Sequence, residues 1–479
     1  MCPSDAELVQ LTVEAEPGTE IFVTDHAFQL RARGVGRLSQ PVEAGLYQVK
    51  LRAGRSIQEV HQVVRPGSGD VVVRPPAIAF SSAAPLAGTS RTSEEHERAA
   101  ETLSGRVHHK LGGGSQLFVF ARRHEPDPLP TAGSPGRGIS LHGADGHLMV
   151  DFETSGEALL EGPTPWRGAT VEVDPGIYRL RVATPRWGAM ERTVVAAPGW
   201  QTQVFLLQSD FGDPGTPELR PDLASGAVLM ARDQGFVSFS ETARQVELAR
   251  VALVSGRAVV TADELLAGAG DSPMLGILGA HALLLAEEPD LATVDAVADI
   301  LSERIGPHPD VDALRLGRGD EAGTGMAFGL PPMLTSSWGR AVAASWKRPD
   351  LIPASSLTAR AATWFWGYGP WLIWLADGVD DQPAEPSTRS LSDALAGVAQ
   401  LASGRKAPTD LTDAEAALLT QATRSSAPPP PSFDIAPSGD AATAAPPPNP
   451  DYDLARALGL PPATLKTVAA SLAEKLSAT

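Results

Sequence analysis

From Leu8 to Val73 apolar and polar residues alternate in short runs, Leu8 to Val13, Glu20 to Val23, Tyr47 to Leu51 and Val60 to Val64, broken by Gly and Pro turns. This period of two predicts an all-β module over residues 1–78. A second such stretch, with Leu117 to Phe120, His147 to Phe152, Tyr178 to Val182 and Val204 to Leu207 as its clearest strands, predicts another over 115–208. Between them, 79–114 reads as a linker with one short helix, Glu94 to Leu103, behind a Thr92/Glu95 capping box. Residues 209–235 read as a Pro- and Gly-rich connecting segment. The period then becomes helical, as in Val246, Ala249 and Leu253, or Leu275, Leu278, Ala282 and Leu285, or Val294, Val297, Ile300 and Leu301. Ser238/Glu241, Thr261/Glu264 and Thr412/Glu415 form capping boxes, and Ser272-Pro273 and Asp290 are further helix starts, so 236–424 is expected to be α-helical.

The two β stretches share a motif: Val42-Glu-Ala-Gly-Leu-Tyr-Gln-Val-Lys-Leu51 aligns without gaps on Val173-Asp-Pro-Gly-Ile-Tyr-Arg-Leu-Arg-Val182, 131 residues on. Val63-Val64 meets Val194-Val195 at the same offset, and Pro66-Gly67 meets Pro198-Gly199 after a one-residue insertion. A duplicated β-sandwich follows. Gly45 and Gly176 are expected to turn the chain, and Tyr47 and Tyr178 to bury their rings while each hydroxyl reaches a backbone group. These residues resemble the small β-sandwich repeats of the carboxypeptidase-regulatory-like and PEGA type, a likeness carried by one short motif. The resemblance implies binding or spacer modules without catalysis. The expected fold is thus two Ig-like or prealbumin-like β-sandwiches, an all-α helical domain and a Pro-rich tail.

In that tail, residues 425–450 hold 9 prolines in 26 and few apolar side chains, a composition expected to stay disordered. Residues 451–479 are amphipathic, with Leu465, Val468, Leu472 and Leu476 on one helical face. That face either docks back on the helical domain or enters another protein's groove.

Lys and Arg total 39 against 57 Asp and Glu, a net charge of −18 that repels phosphate backbones and anionic lipid, so nucleic acid is excluded as a partner and membrane binding disfavoured. The one cysteine, Cys2, forms no internal disulfide and offers no Cys cluster to a metal. With no signal-peptide pattern at the start, the expected location is the cytoplasm.

Catalytic patterns fail in turn. No Gly-Lys pair exists for a phosphate-binding loop, the glycines near Gly34 and Gly317 lack dinucleotide spacing, and Gly-x-Ser-x-Gly is missing. No cofactor and no metal are implied. His108, His109, His124, His142 and His147 cluster along the second β stretch with Asp145 and Asp151 nearby, yet adjacent His108 and His109 point apart in a strand and His142 to His147 flank a turn. His281 lies on an apolar helix.

Six of nine tryptophans, Trp338, Trp346, Trp364, Trp366, Trp371 and Trp374, fall within 37 residues, inside or beside an apolar run too short and too broken by Gly and Pro to span a bilayer. Core packing, a partner-binding patch through Trp364, Trp366, Trp371 and Trp374, and membrane-interface insertion compete as explanations. The expected function is non-catalytic protein–protein interaction, as an adaptor, regulatory subunit or protease target in a bacterial multi-gene system. A hydrolase with a site between the second sandwich and the helical domain, using His142, His147, Asp145 or His281, is one alternative. A membrane-interface binder is the other.

Overall fold

The alternating runs become strands that pair in one pattern used twice. A computed structural model describes residues 8–376 apart from 124–132, 186–187, 213–217, 233–234, 255–256, 258–259, 287, 317–326, 346, 363 and 367–368. The expected tail, 425–450 with 451–479, lies outside the described residues.

The first module contains β1 (Val9–Glu14), β2 (Glu20–Asp25), β3 (Leu30–Val35), β4 (Arg37–Val42), β5 (Gly45–Ala53), β6 (Ser56–Val64) and β7 (Val71–Val73), ordered β6-β5-β2-β3-β4-β1-β7. β3 and β4 share one residue pair, Val35 with Arg37, around Gly36 at φ +66°, a conformation in which a side chain would be strained. The chain folds over there, and Val13, Ile21, Val23, Val49 and Leu51 fill the interior.

Next come α1 (Glu94–Ser104), β8 (Val107–Lys110), β9 (Ser115–Arg122), β10 (Ile139–His142), β11 (Leu148–Asp151), β12 (Glu157–Leu159), β13 (Trp166–Val173), β14 (Gly176–Thr184), β15 (Gly188–Ala196) and β16 (Gln201–Asp210). In the first module β1 pairs antiparallel with β4 and parallel with β7, while β2–β3, β2–β5 and β5–β6 are antiparallel. In the second, β9 pairs antiparallel with β13 and parallel with β16, while β10–β11, β10–β14 and β14–β15 are antiparallel. The same connections recur with the same sense.

The two tyrosines occupy matching places. Tyr47 donates its hydroxyl to the Glu43 carbonyl at 2.9 Å and Tyr178 donates to the Asp174 carbonyl at 2.7 Å, each four residues back. Burial raises the pKa of both phenols above the ordinary value. The glycine role differs from expectation. Gly45 and Gly176 are not at positive φ, and a methyl group on either would make an ordinary contact with the tyrosine ring, 3.7 and 3.9 Å away. Tyr47→Phe and Tyr178→Phe are each expected to cost about 1 kcal/mol, one hydrogen bond with ring packing retained, as read from the urea midpoint.

The linker is packed rather than free. Phe80, Ala84 and Leu86 are core residues, and buried Arg122 donates to the Ala83 carbonyl at 3.1 Å, the Ser82 carbonyl at 3.0 Å and the Arg91 carbonyl. The α1 cap is Ser93, whose hydroxyl accepts from the His96 N–H, one residue after the expected Thr92. The connecting segment also departs from expectation, since it forms β17 (Leu219–Pro221) and β18 (Ala227–Ala231), both antiparallel to β16.

The C-terminal half holds α2 (Glu241–Leu253), α3 (Ala262–Gly268), α4 (Pro273–Leu283), α5 (Leu291–Ile305), α6 (Pro309–Leu314), α7 (Thr335–Ser345) and α8 (Leu357–Ala361). Thr261 and Glu264 cap α3 reciprocally, Asp290 caps α5, and Pro273 opens α4 at the position where its missing N–H costs nothing. The α2 cap is Ser240, because Ser238 instead donates both its N–H and its hydroxyl to Glu101. Helix α4 is apolar on all sides and sits centrally. A Cβ on Gly279 would lie 2.6 Å from Leu265, so this glycine lets α3 approach.

The half is not all-α, because the chain ends its described part in two short strands, β19 (Phe365–Trp366) and β20 (Ile373–Leu375). β20 pairs antiparallel with β15, Met190 with Leu375 and Glu191 with Trp374, so the helical half adds strands to the second module's sheet. No helix among the described residues is long and apolar enough to cross a membrane.

Candidate functional site

A dense, enclosed polar cluster lies where β20 meets β15. Residues opposite one another in an antiparallel pair share a face, so the pairs Arg181 with Glu191 and Glu191 with Trp374 place three side chains in one row, with Arg179 diagonal to them. Arg179 donates to Glu191 Oε2 from Nε at 2.8 Å and from Nη2 at 2.6 Å, Arg181 Nε donates to Oε1 at 2.7 Å, and Trp374 Nε1 donates to Oε2 at 3.0 Å. Glu191 and Trp374 are both 0% exposed. A carboxylate so enclosed persists because both of its oxygens accept from guanidinium donors and one also from the indole N–H. Beside it Thr193 donates to the Pro331 carbonyl at 2.6 Å, tying the same face to the helical half.

On the opposite face of β15, Arg192 points into the core, donating to the Leu223 carbonyl at 3.1 Å with its guanidinium 5.0 Å from the Trp371 ring. Burial, and then the nearby Arg250, lower its pKa to about 9. Trp371 Nε1 donates to the Gly226 carbonyl at 2.6 Å. The expectation of a tryptophan patch for partners is therefore corrected at two positions: Trp371 and Trp374 are core side chains whose indole N–H groups are satisfied internally. Trp338 is buried against Phe365, at 4.7 Å between ring centroids. Trp364 is half-buried, and Trp366 pairs with Ile373 through its backbone. Trp346, Leu465, Val468, Leu472 and Leu476 lie outside the described residues.

The histidines do not converge. His142 bonds Ser140 Oγ at 2.9 Å and the Gly146 carbonyl at 2.9 Å, and burial lowers its pKa, while exposed His147 makes turn contacts through its backbone, donating its N–H to Asp145 and accepting from the Gly143 N–H. His108 accepts from the Thr170 N–H at 3.0 Å. Among the described residues no group of three or more His, Cys, Asp or Glu could hold a metal ion.

His281 belongs to a separate cluster that sequence reasoning missed. Asp310 on α6, 0% exposed, accepts from the N–H groups of Met333 and Leu334 at 3.0 and 2.8 Å and from the Ser337 hydroxyl at 2.6 Å. His281 Nε2 lies 3.1 Å from the Asp310 carbonyl and 2.9 Å from Ser337 Oγ. Serine, histidine and aspartate meet here, but not as a nucleophile relay. Ser337 gives its proton to Asp310, so His281 Nε2 carries hydrogen, and Nδ1, which a relay carboxylate would hold, has no partner. The cluster binds the start of α7 to α6 and α4, and all its side chains are enclosed.

Burial depresses the pKa of His281 to about 4 and lowers that of His308, both below the value near 6.5 of a free imidazole. Between pH 6.5 and about 4 the unfolded chain takes up protons that these folded sites refuse, so their contribution to stability is complete above 6.5 and is lost as pH falls. Asp312, raised to about 6 by burial, titrates in the opposite sense and offsets part of this. A falling melting temperature from pH 7 to 5 is expected, with a shallower slope for His281→Gln, which keeps an N–H donor without the titration. Equal slopes for both proteins would refute the assignment.

A cavity of about 210 Å³ lies between β18 and the starts of α2 and α4, lined by Gln203, Leu229, Phe236, Ser240, Val246 and Ser272. It holds no nucleophile–base pair.

No family model matches the sequence, and the search of curated proteins finds no match. Among solved structures, one titled "The Bacillus anthracis TIE protein" is similar over 40% of this chain and 29% of its own, at 8% identity and a TM-score of 0.15, a likeness too low to inform fold or function.

Proposed function

We propose that this chain is a non-catalytic protein-interaction scaffold built from two sandwiches of the carboxypeptidase-regulatory-like or PEGA type and a helical half, acting as an adaptor, regulatory subunit or protease target in a bacterial multi-gene system. One contrast carries the reading. The two modules share strand pairings and tyrosine hydrogen bonds, yet the outer face of β14 and β15 is sealed by the helical half while that of β5 and β6 is open among the described residues. Leu46, Ile57 and Val63 stand 46%, 54% and 55% exposed on that open face. Leu46 and Val63 lie opposite one another at one end of this face and Ile57 at the other, with Gln48, Lys50, Glu59 and His61 between them, a mixed apolar and polar surface of the kind protein partners use.

The polar side chains elsewhere support the same reading, because Glu191, Arg192, His281, Asp310 and Ser337 are buried where substrate cannot reach them. Affinity capture with the intact chain, with a version ending at Thr423 and with Leu46→Glu/Val63→Glu tests it. A partner that reconstitutes with purified protein and is lost with the double variant is the expected result. Failure to capture any partner, or stoichiometric zinc in the purified protein, would overturn the proposal.

A further inference from the structure

We propose that β6 is a dimerisation strand, pairing antiparallel with β6 of a second copy of this chain. β6 ends its sheet, so one side of its backbone has no neighbouring strand among the described residues. The β5–β6 hairpin turns through Gly54-Arg55, with Ala53 opposite Ser56 and Gly54 at φ +60°. In a two-residue hairpin the closing pair exchanges both hydrogen bonds, and alternate pairs follow. Ser56, Gln58, Val60, Gln62 and Val64 therefore bond to β5, while Ile57, Glu59, His61 and Val63 direct N–H and C=O to the free edge.

The duplicated module shows what such an edge accepts. β15 is the counterpart of β6, and its free side is occupied by β20, at Met190 and Glu191. Those residues match Gln58 and Glu59 when the two hairpins are aligned on their ladders. In the second module the added strand comes from the same chain, whereas no described residue covers the first module's edge.

The sequence of β6 selects a second copy as the occupant. Paired antiparallel about Val60, Ile57 falls opposite the second copy's Val63 and Glu59 opposite its His61, each contact occurring twice by symmetry. These four residues are the ones with outward backbone groups, and all four side chains are exposed on one face, so hydrogen-bonding register and side-chain register coincide. Apolar meets apolar, and a carboxylate meets an imidazole. A register shifted by two residues would set Glu59 against Glu59 or His61 against His61. This inference does not depend on the capture of other proteins, and its test reads self-association alone.

Sedimentation of the intact chain from about 1 to about 100 µM is expected to show a reversible dimer. His61→Glu, which sets two carboxylates face to face twice, is expected to weaken it at least about tenfold, and Glu59→Lys/His61→Glu to restore it. In a Cys2→Ser background, Val60→Cys is expected to cross-link on mild oxidation, because non-hydrogen-bonded opposite residues lie about 4.5 Å apart, within disulfide reach. His61→Cys, diagonal to its own copy, should not. A chain that stays monomeric, a dimer indifferent to His61→Glu, or equal cross-linking at both positions would overturn the proposal.

Discussion

Glu191→Ala is expected to destabilise the chain by about 3–5 kcal/mol, the range for breaking a buried ion pair by removing one partner. The alanine leaves Arg179 as an enclosed cation and removes the acceptor of Trp374 Nε1, while Arg181, partly exposed, regains some water. The matched control is Glu59→Ala in the first module. Glu59 has the same ladder position and accepts a hydrogen bond from Gln48 at 2.8 Å, but it is exposed, so its loss is expected to change stability by no more than about 0.5 kcal/mol in the monomer. Urea unfolding followed by tryptophan fluorescence reports on both, since Trp374 lies against the deleted group. A Glu191→Ala effect below about 1 kcal/mol would mean that water already reaches the cluster and that β20 does not seal it.

The comparison of these two glutamates also marks how far the sequence could be read. The gapless Gly-to-Tyr match reveals the duplication because local chemistry imposes it: a tyrosine two residues after the glycine reaches the same carbonyl in each copy. Burial of Arg179, and partial covering of Arg181, were not legible. The run Tyr-Arg-Leu-Arg-Val alternates as a strand with one wet face does, and in the first module the matching Tyr-Gln-Val-Lys-Leu has the polar residues of that face half-buried, open to water in part. What covers the second copy comes from residues 331 and 371–375, far along the chain, and a period of two contains no trace of them.

The same limit explains the tryptophans. Their clustering was plain, but Gly and Pro obscured the periodicity, and the β15 partners of Trp374 and Leu375, Glu191 and Met190, lie outside any local window. Helix starts fared better where the cap is local, as at Thr261 and Asp290. Ser238 failed as a cap because Glu101, distant in sequence, takes its donors. Strands β17 and β18 escaped notice because each is short and flanked by Pro, Gly or Asp.

Asp310→Ala is expected to cost at least about 3 kcal/mol, since it strips acceptors from two buried backbone N–H groups and one hydroxyl, each orphan worth about 1–3 kcal/mol before relaxation. Asp310→Asn separates charge from shape: its single carbonyl oxygen satisfies part of the set, and its NH₂ group faces a second donor, so it should recover little of the loss. Because Asp310 lies on α6 and its partners precede and open α7, the damage should be local before it is global. Native-state hydrogen exchange is the discriminating measurement. Amides of Ala341 and Val342 on α7 are expected to lose protection in both variants, while Val49 and Leu51 on β5 keep theirs. If exchange accelerates equally in the two regions, α7 does not depend on this carboxylate and the halves unfold as one unit. If the asparagine variant matches wild type, neutral hydrogen bonding suffices and the ionised carboxylate contributes no stability of its own.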